Sequence, residues 1–178
     1  ADVHGVDSVI DAGEEGIAFA SEAAATSPGG TLVLDECTVL GRIRARVLER
    51  VSNTIVLAGV PAAESSDWPV PVIADRRQQG CVRFSYLPPG SRTPRRYRGV
   101  ADEDAAAFRP VFTSERFGDP GYIQLDRRTV DAVWRGADDE SEMGALHHLN
   151  QPLREAYLER RLEDYTRFGL EVGLVFET

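Results

Sequence analysis

Chemistry in this chain would have to come from one of two places. The first is the acidic run Asp138-Asp139-Glu140-Ser141-Glu142, followed by His147 and His148. Carboxylates gathered at one loop can hold a hard cation, but the spacing here departs from an EF-hand loop: Gly144 is not placed as its hinge, and no bidentate acid closes it. Adjacent histidines point in different directions, whereas a zinc-binding helix sets its pair about a turn apart. The run therefore reads as a solvated acidic loop that ends a strand over Val130 to Trp134. No metal and no cofactor is expected.

The second place is Arg92-Thr93-Pro94-Arg95-Arg96-Tyr97-Arg98, which concentrates four guanidiniums and an aromatic ring in a chain of net charge −9. Such a cluster suits phosphate, RNA or an acidic protein surface. The overall charge favours pairing with the chain's own acids, Asp138 to Glu142 among them, or a subunit contact. Ser85, Ser91 and Ser114 lack the flanking glycines of a nucleophile elbow, and no pattern nominates a general base beside a nucleophile. No catalytic residue is expected.

Composition narrows the field further. At 178 residues and 28% charged, 42% hydrophobic side chains, the chain can bury a core of its own. The acidic balance makes nucleic acid an unlikely main partner, because phosphate contacts require a positive surface. Every cation is Arg, a bias that coding composition explains as well as selection for bidentate contacts. No run of about 20 apolar residues offers a membrane span, and no basic-then-apolar leader opens the chain. A soluble protein, cytoplasmic or part of an assembled particle, is expected. Cys37 and Cys81 lie in strand-like surroundings and read as two buried thiols, with a single bridge between them left open.

The elements that would position these groups are mostly strands. Residues 1–30 mix isolated aliphatics with acids and an alanine run, and read as short strands or a covering segment that ends at Ser27-Pro28-Gly29-Gly30. From Thr31 to Val60 short apolar clusters recur with many β-branched residues. Over Thr38 to Val47, Val39, Gly41, Ile43, Ala45 and Val47 alternate with Arg42, Arg44 and Arg46, the two-residue period of a half-buried strand. A helix over Gly41 to Val51 competes, since Ile43, Val47 and Val51 are four apart. Ser52-Asn53 reads as a corner, because Asn tolerates the left-handed conformation.

Gly80 to Leu87 alternates again, and Gly121 to Leu125 with Val130 to Trp134 offers a third strand region. Long loops are expected over 61–75 and 88–120. A helix over Gln151 to Phe168 is predicted by an Asn150 N-cap, Pro152 in the first turn and Gly169 at the end, with Leu153, Tyr157, Leu158, Leu162 and Tyr165 on its core side. Leu170 to Phe176 reads as a final strand. Short strands joined by tight corners suggest a mainly β fold, a short right-handed parallel β-helix in preference to an antiparallel meander, with the helix covering one end.

Four strings point the same way: Gly80 to Tyr86, Gly90 to Arg98, Gly118 to Tyr122 and Gly136 to Ala145. Together they resemble a group of uncharacterised bacterial proteins with C-terminal β-helix regions, associated with phage-tail-like or contractile injection gene neighbourhoods. The resemblance covers Thr31 to Thr178. It implies a structural or attachment role and brings no catalytic residues. The expectation is a non-enzymatic module acting through protein–protein contacts or as a homo-oligomer. Arg92, Arg95, Arg96, Tyr97 and Arg98 are its candidate interface, joined by Arg42, Arg44 and Arg46. A carbohydrate-active or carbohydrate-binding β-helix protein is the alternative, and would need two carboxylates at a fixed separation.

Overall fold

The aliphatic clusters do form strands. The computed structural model describes residues 2–22, 27–61, 68–100 and 103–175. Before the first proline-rich loop the chain runs through β1 (Val3–Val6), β2 (Val9–Asp11), β3 (Ile17–Phe19), β4 (Gly29–Asp35), β5 (Thr38–Leu40), β6 (Arg42–Ser52) and β7 (Ile55–Leu57). Then follow β8 (Val72–Ala74), β9 (Cys81–Arg83), β10 (Arg96–Tyr97), a one-turn helix α1 (Asp131–Trp134), a 3-10 turn at His147–Leu149 and α2 (Gln151–Glu163). One sheet has the order β1-β4-β6-β9-β10, with β3 and β8 also on β6; the other has the order β2-β5-β7. Neighbouring strands pair in parallel throughout both sheets.

Parallel register places like beside like. Leu34 lies opposite Val51, which lies opposite Val82, while Ile10, Val39 and Val56 align across the second sheet. All but the half-buried Ile10 are at most 1% exposed. Burying one such side chain is worth roughly 1.5–3 kcal/mol, so these ladders hold the two sheets together. A second cluster joins Leu40, Ile55, Leu57 and Tyr86 to Phe112, Ile123, Val133 and Met143, which carries the core into the C-terminal third. There the buried Tyr86 hydroxyl donates to the Ala105 carbonyl at 2.7 Å.

The turn from one sheet to the other is made by single left-handed residues. Asp7, Glu36, Asn53 and Phe84 have φ of 46°, 54°, 49° and 47°, and each directly follows the last residue of β1, β4, β6 or β9. Hydroxyls satisfy the backbone just beyond. Thr54 Oγ1 accepts from the Cys37 amide at 3.3 Å and donates to the Ser52 carbonyl at 2.8 Å; Ser85 Oγ accepts from the Thr54 amide at 3.1 Å. Side chains that bond locally in this way favour turns over continued strands. The corner expected at Ser52-Asn53 is therefore present, in the conformation that suits Asn.

Several expectations are corrected. The chain is mainly β with parallel sheets, but the fold is not the short right-handed β-helix. The strands divide into sheets of seven and three, and the eleven-residue β6 takes β3, β4, β8 and β9 as partners. Past β10 the described residues add isolated bridges only, and the one between Phe112 and Leu125 is antiparallel. Without a repeat period in the sequence, nothing holds successive segments to equal strands. Val130 to Trp134 forms α1 rather than a strand. Residues 170–175 form no strand, and Phe176 lies outside the described residues.

Helix α2 exists but stops at Glu163, and among the described residues most of its apolar stripe is exposed, with Leu162 half-buried. Leu153, Tyr157, Leu158 and Tyr165 are 47%, 61%, 45% and 85% exposed, and Pro152 is its buried residue. Asn150 sits in the left-handed region and makes no side-chain cap. The single half-buried strand expected over Thr38 to Val47 is instead two strands in different sheets, β5 and β6, and Thr38, Leu40 and Arg42, expected to face outward, are buried. Farther along β6, Arg46 is exposed, Val47 half-buried and Leu48 buried. Cys37 is buried as expected, whereas Cys81 is exposed, and both thiols are free.

Candidate functional site

The basic groove begins with two turns that meet at one edge of the larger sheet. The turn after β8 carries Asp75, Arg76, Arg77, Gln78 and Gln79, and the segment leading into β10 carries Thr93, Pro94 and Arg95; together they line an open groove. It continues past Arg77 and Pro94 along Ser91, Arg96 and Arg98. Backbone bonds fix the two walls: the Arg92 amide donates to the Val72 carbonyl at 2.8 Å and the Val82 amide to the Arg95 carbonyl at 3.1 Å. Arg96 braces its own loop, with Nε donating to Thr93 Oγ1 and a terminal nitrogen to the Ser91 carbonyl, both at 3.1 Å. Tyr97 packs edge-on to Phe84, and Arg98 stands 5.7 Å from the Tyr97 ring centroid.

Arg76, Arg77, Arg92, Arg95 and Arg98 are exposed and, among the described residues, pair with no carboxylate. The expected partner run, Asp138 to Glu142, is engaged elsewhere. The other three arginines in question do not share a face. Arg42 is 4% exposed, with its guanidinium carbon 4.5 Å from the ring centroid of the buried Trp68; Arg44 is half-buried; Arg46 is exposed beside Asp2 and Gly30 in a separate groove. Arg42 thus belongs to the interior. A cation held on an indole face is how such a charge is accommodated away from water. Arg76 and Arg77 were legible only as a charged Arg-Arg-Gln-Gln turn between two strands.

The acidic run folds onto the left-handed corners. Asn53 Nδ2 donates to Asp138 Oδ1 at 2.7 Å, and the Asp138 amide returns a bond to Asn53 Oδ1 at 3.2 Å. Ser141 donates through both its amide and its hydroxyl to Asp139 Oδ1, at 3.0 and 2.6 Å. His147, 8% exposed, sets Nδ1 2.9 Å from the Glu142 carbonyl and 2.8 Å from Ser141 Oγ. Its Nε2 lies 3.6 Å from Glu36 Oε1 and 3.6 Å from Asp139 Oδ2.

The buried Glu142 carboxylate accepts from the Gln151 amide at 2.9 and 3.2 Å, and so caps α2 in place of Asn150. Burial pushes the Glu142 carboxyl above its ordinary range. Burial also raises Glu36, helped by the neighbouring Asp7 carboxyl. For Asp139 burial acts upward too, but the Ser141 hydroxyl and amide outweigh it and hold the carboxyl below its ordinary value. Of this group the sequence pointed to Asp138, Asp139, Ser141, Glu142 and His147 as one run and to Asn53 as a corner; Glu36 acquires its place only through the corner it forms.

Among the described residues no helix is long and apolar enough to cross a membrane. Comparison with family models, with curated proteins and with solved structures finds no match to this chain.

Proposed function

We propose that this chain is a non-enzymatic attachment module of a larger assembly, and that its basic groove docks an acidic segment of a protein partner. The observation that carries this reading is the set of four exposed guanidiniums in one groove, Arg76, Arg77, Arg95 and Arg98, which pair with no carboxylate among the described residues of a chain that has 29 acids. A fold with so many carboxylates could neutralise four arginines internally, and instead leaves them facing outward. A groove of one sign steers an oppositely charged partner and sets its register. Arginine forks suit bidentate contact with carboxylates.

Magnitudes show what the groove does by itself. Exposed ion pairs are worth about 0.2–1 kcal/mol each, so four amount to about 0.8–4 kcal/mol, at best close to millimolar affinity. Stable attachment then needs apolar area as well. The uncovered stripe of α2 offers it, in the manner of surface patches that mark protein contacts. The carbohydrate reading has less support: the groove walls hold a single carboxylate, Asp75, and no facing acid pair.

The test is calorimetric titration at low ionic strength with an oligoglutamate peptide, and with a single-stranded oligonucleotide of equal charge. The proposal predicts that the peptide binds and that Arg77→Ala/Arg95→Ala/Arg98→Ala abolishes the signal, with the oligonucleotide no tighter than the peptide. Unchanged binding by the triple variant, or a strong preference for the oligonucleotide, would overturn it.

A further inference from the structure

The geometry around His147 points to a second site: we infer that Asp138, Asp139 and His147 bind a divalent first-row transition ion of the Zn2+ class, which pins the acidic loop beside the Asn53 corner. The tautomer carries the first step. Nδ1 faces the Glu142 carbonyl at 2.9 Å, which can only accept, and Ser141 Oγ, whose proton is directed to Asp139 Oδ1 at 2.6 Å. In the neutral ring Nδ1 therefore holds the proton, and Nε2 presents a lone pair. That lone pair is aimed at two carboxylate oxygens, Glu36 Oε1 and Asp139 Oδ2, each 3.6 Å away.

An imidazole lone pair this close to two carboxylate oxygens calls for positive charge beside it. A separation of 3.6 Å is too long for a good hydrogen bond to a protonated Nε2. It is close to the ligand-to-ligand edge of about 3.4 Å expected for a tetrahedral ion with bonds of about 2.1 Å. One ligand atom from each of Asp138, Asp139 and His147 lies within 4.8 Å of the others. A side chain that is 8% exposed leaves little room for water to dilute this charge balance.

The surroundings are also those of a ligand set. One oxygen of Asp138 is held by Asn53 Nδ2 and one oxygen of Asp139 by Ser141, which leaves the second oxygen of each carboxylate available. A histidine that donates Nδ1–H to a backbone carbonyl, beside carboxylates oriented by neighbours, is the usual support around a metal ion. One imidazole with several carboxylates favours Zn2+ or Mn2+ over Mg2+ or Ca2+, which prefer oxygen alone.

The experiment is calorimetric titration of the metal-stripped chain with Zn2+ and Mn2+, with Mg2+ and Ca2+ as controls, and with thermal melts in parallel. We expect one equivalent of Zn2+, a higher melting temperature in its presence, and a loss of affinity of at least about tenfold in Asp139→Asn. His148→Ala, an exposed histidine outside the set, should bind like the parent. Where Asp139→Asn fails to fold by circular dichroism, the exposed Asp138→Asn replaces it with the same expectation. The inference is overturned by a chain that takes up no stoichiometric Zn2+, in which case a proton on Nε2 supplies the charge. It is equally overturned by uptake that survives the Asp variants and disappears with His148→Ala.

Discussion

Replacing Asn53 tests how the corners are held. Asn53 is 3% exposed, has φ of 49°, and exchanges two hydrogen bonds with Asp138 at 2.7 and 3.2 Å. Asn53→Ala removes both bonds, each worth about 0.5–1.5 kcal/mol. It also forces a β-carbon without a local polar partner into the left-handed region, at about 1–2 kcal/mol. The expected destabilisation is about 3 kcal/mol. In urea, with a slope of about 2 kcal/mol/M, the unfolding midpoint falls by about 1.5 M. Asn53→Gly loses the bonds but not the backbone freedom, so it should cost about 1 kcal/mol less than Asn53→Ala. A double-mutant cycle with Asp138→Ala should show a coupling of about 1 kcal/mol. If Asn53→Ala unfolds within about 0.5 kcal/mol of the parent, the corner is held by something other than these contacts and the reasoning fails.

Three further outcomes follow from the same structure. Leu34→Ala removes a fully buried side chain from the ladder with Val51 and should cost about 3 kcal/mol by urea unfolding, with an unchanged slope. For Asp35, burial acts upward, yet the Arg50 guanidinium outweighs it and holds the carboxyl below its ordinary 3.8. Its contribution is therefore present above pH 3.8 and lost as pH falls below that value, so Asp35→Asn should flatten the acid limb of a stability profile measured by thermal melts. Leu153→Ser/Leu158→Ser alters side chains that are 47% and 45% exposed, and should leave stability within about 0.5 kcal/mol while reducing any self-association seen by light scattering.

Legibility varied with how local the cause was. The corner at Asn53 could be read because the left-handed preference is a property of the residue itself. Strand character over 38–47 was legible, but not the break at Gly41 that sends β5 and β6 into different sheets, nor the burial of both faces of β5. Farther along β6, Gly29 pairs with Ala45 and Leu32 with Leu48, so β4 and β6 turn their inward faces together. Arg42 could not be placed, because its burial depends on Trp68 in a distant loop. Helix α2 was recognisable from capping and spacing, yet an apolar stripe says only that something should cover it, not that this chain does. Val130 to Trp134 is too short for periodicity to separate strand from helix. The acidic run was visible as charge, but its contact with Asn53 spans 85 residues of sequence, and no spacing rule reaches that far.

The central claim, that the basic groove is a docking surface, is tested most directly by arginine side-chain NMR. Nε–H resonances of the chain would be followed during titration with oligoglutamate at low ionic strength. The account predicts that Arg76, Arg77, Arg95 and Arg98 shift together with one affinity, while the interior Arg42 stays in place. Shifts confined to other arginines, such as Arg154 and Arg160 on α2, or spread evenly over the molecule, would contradict it.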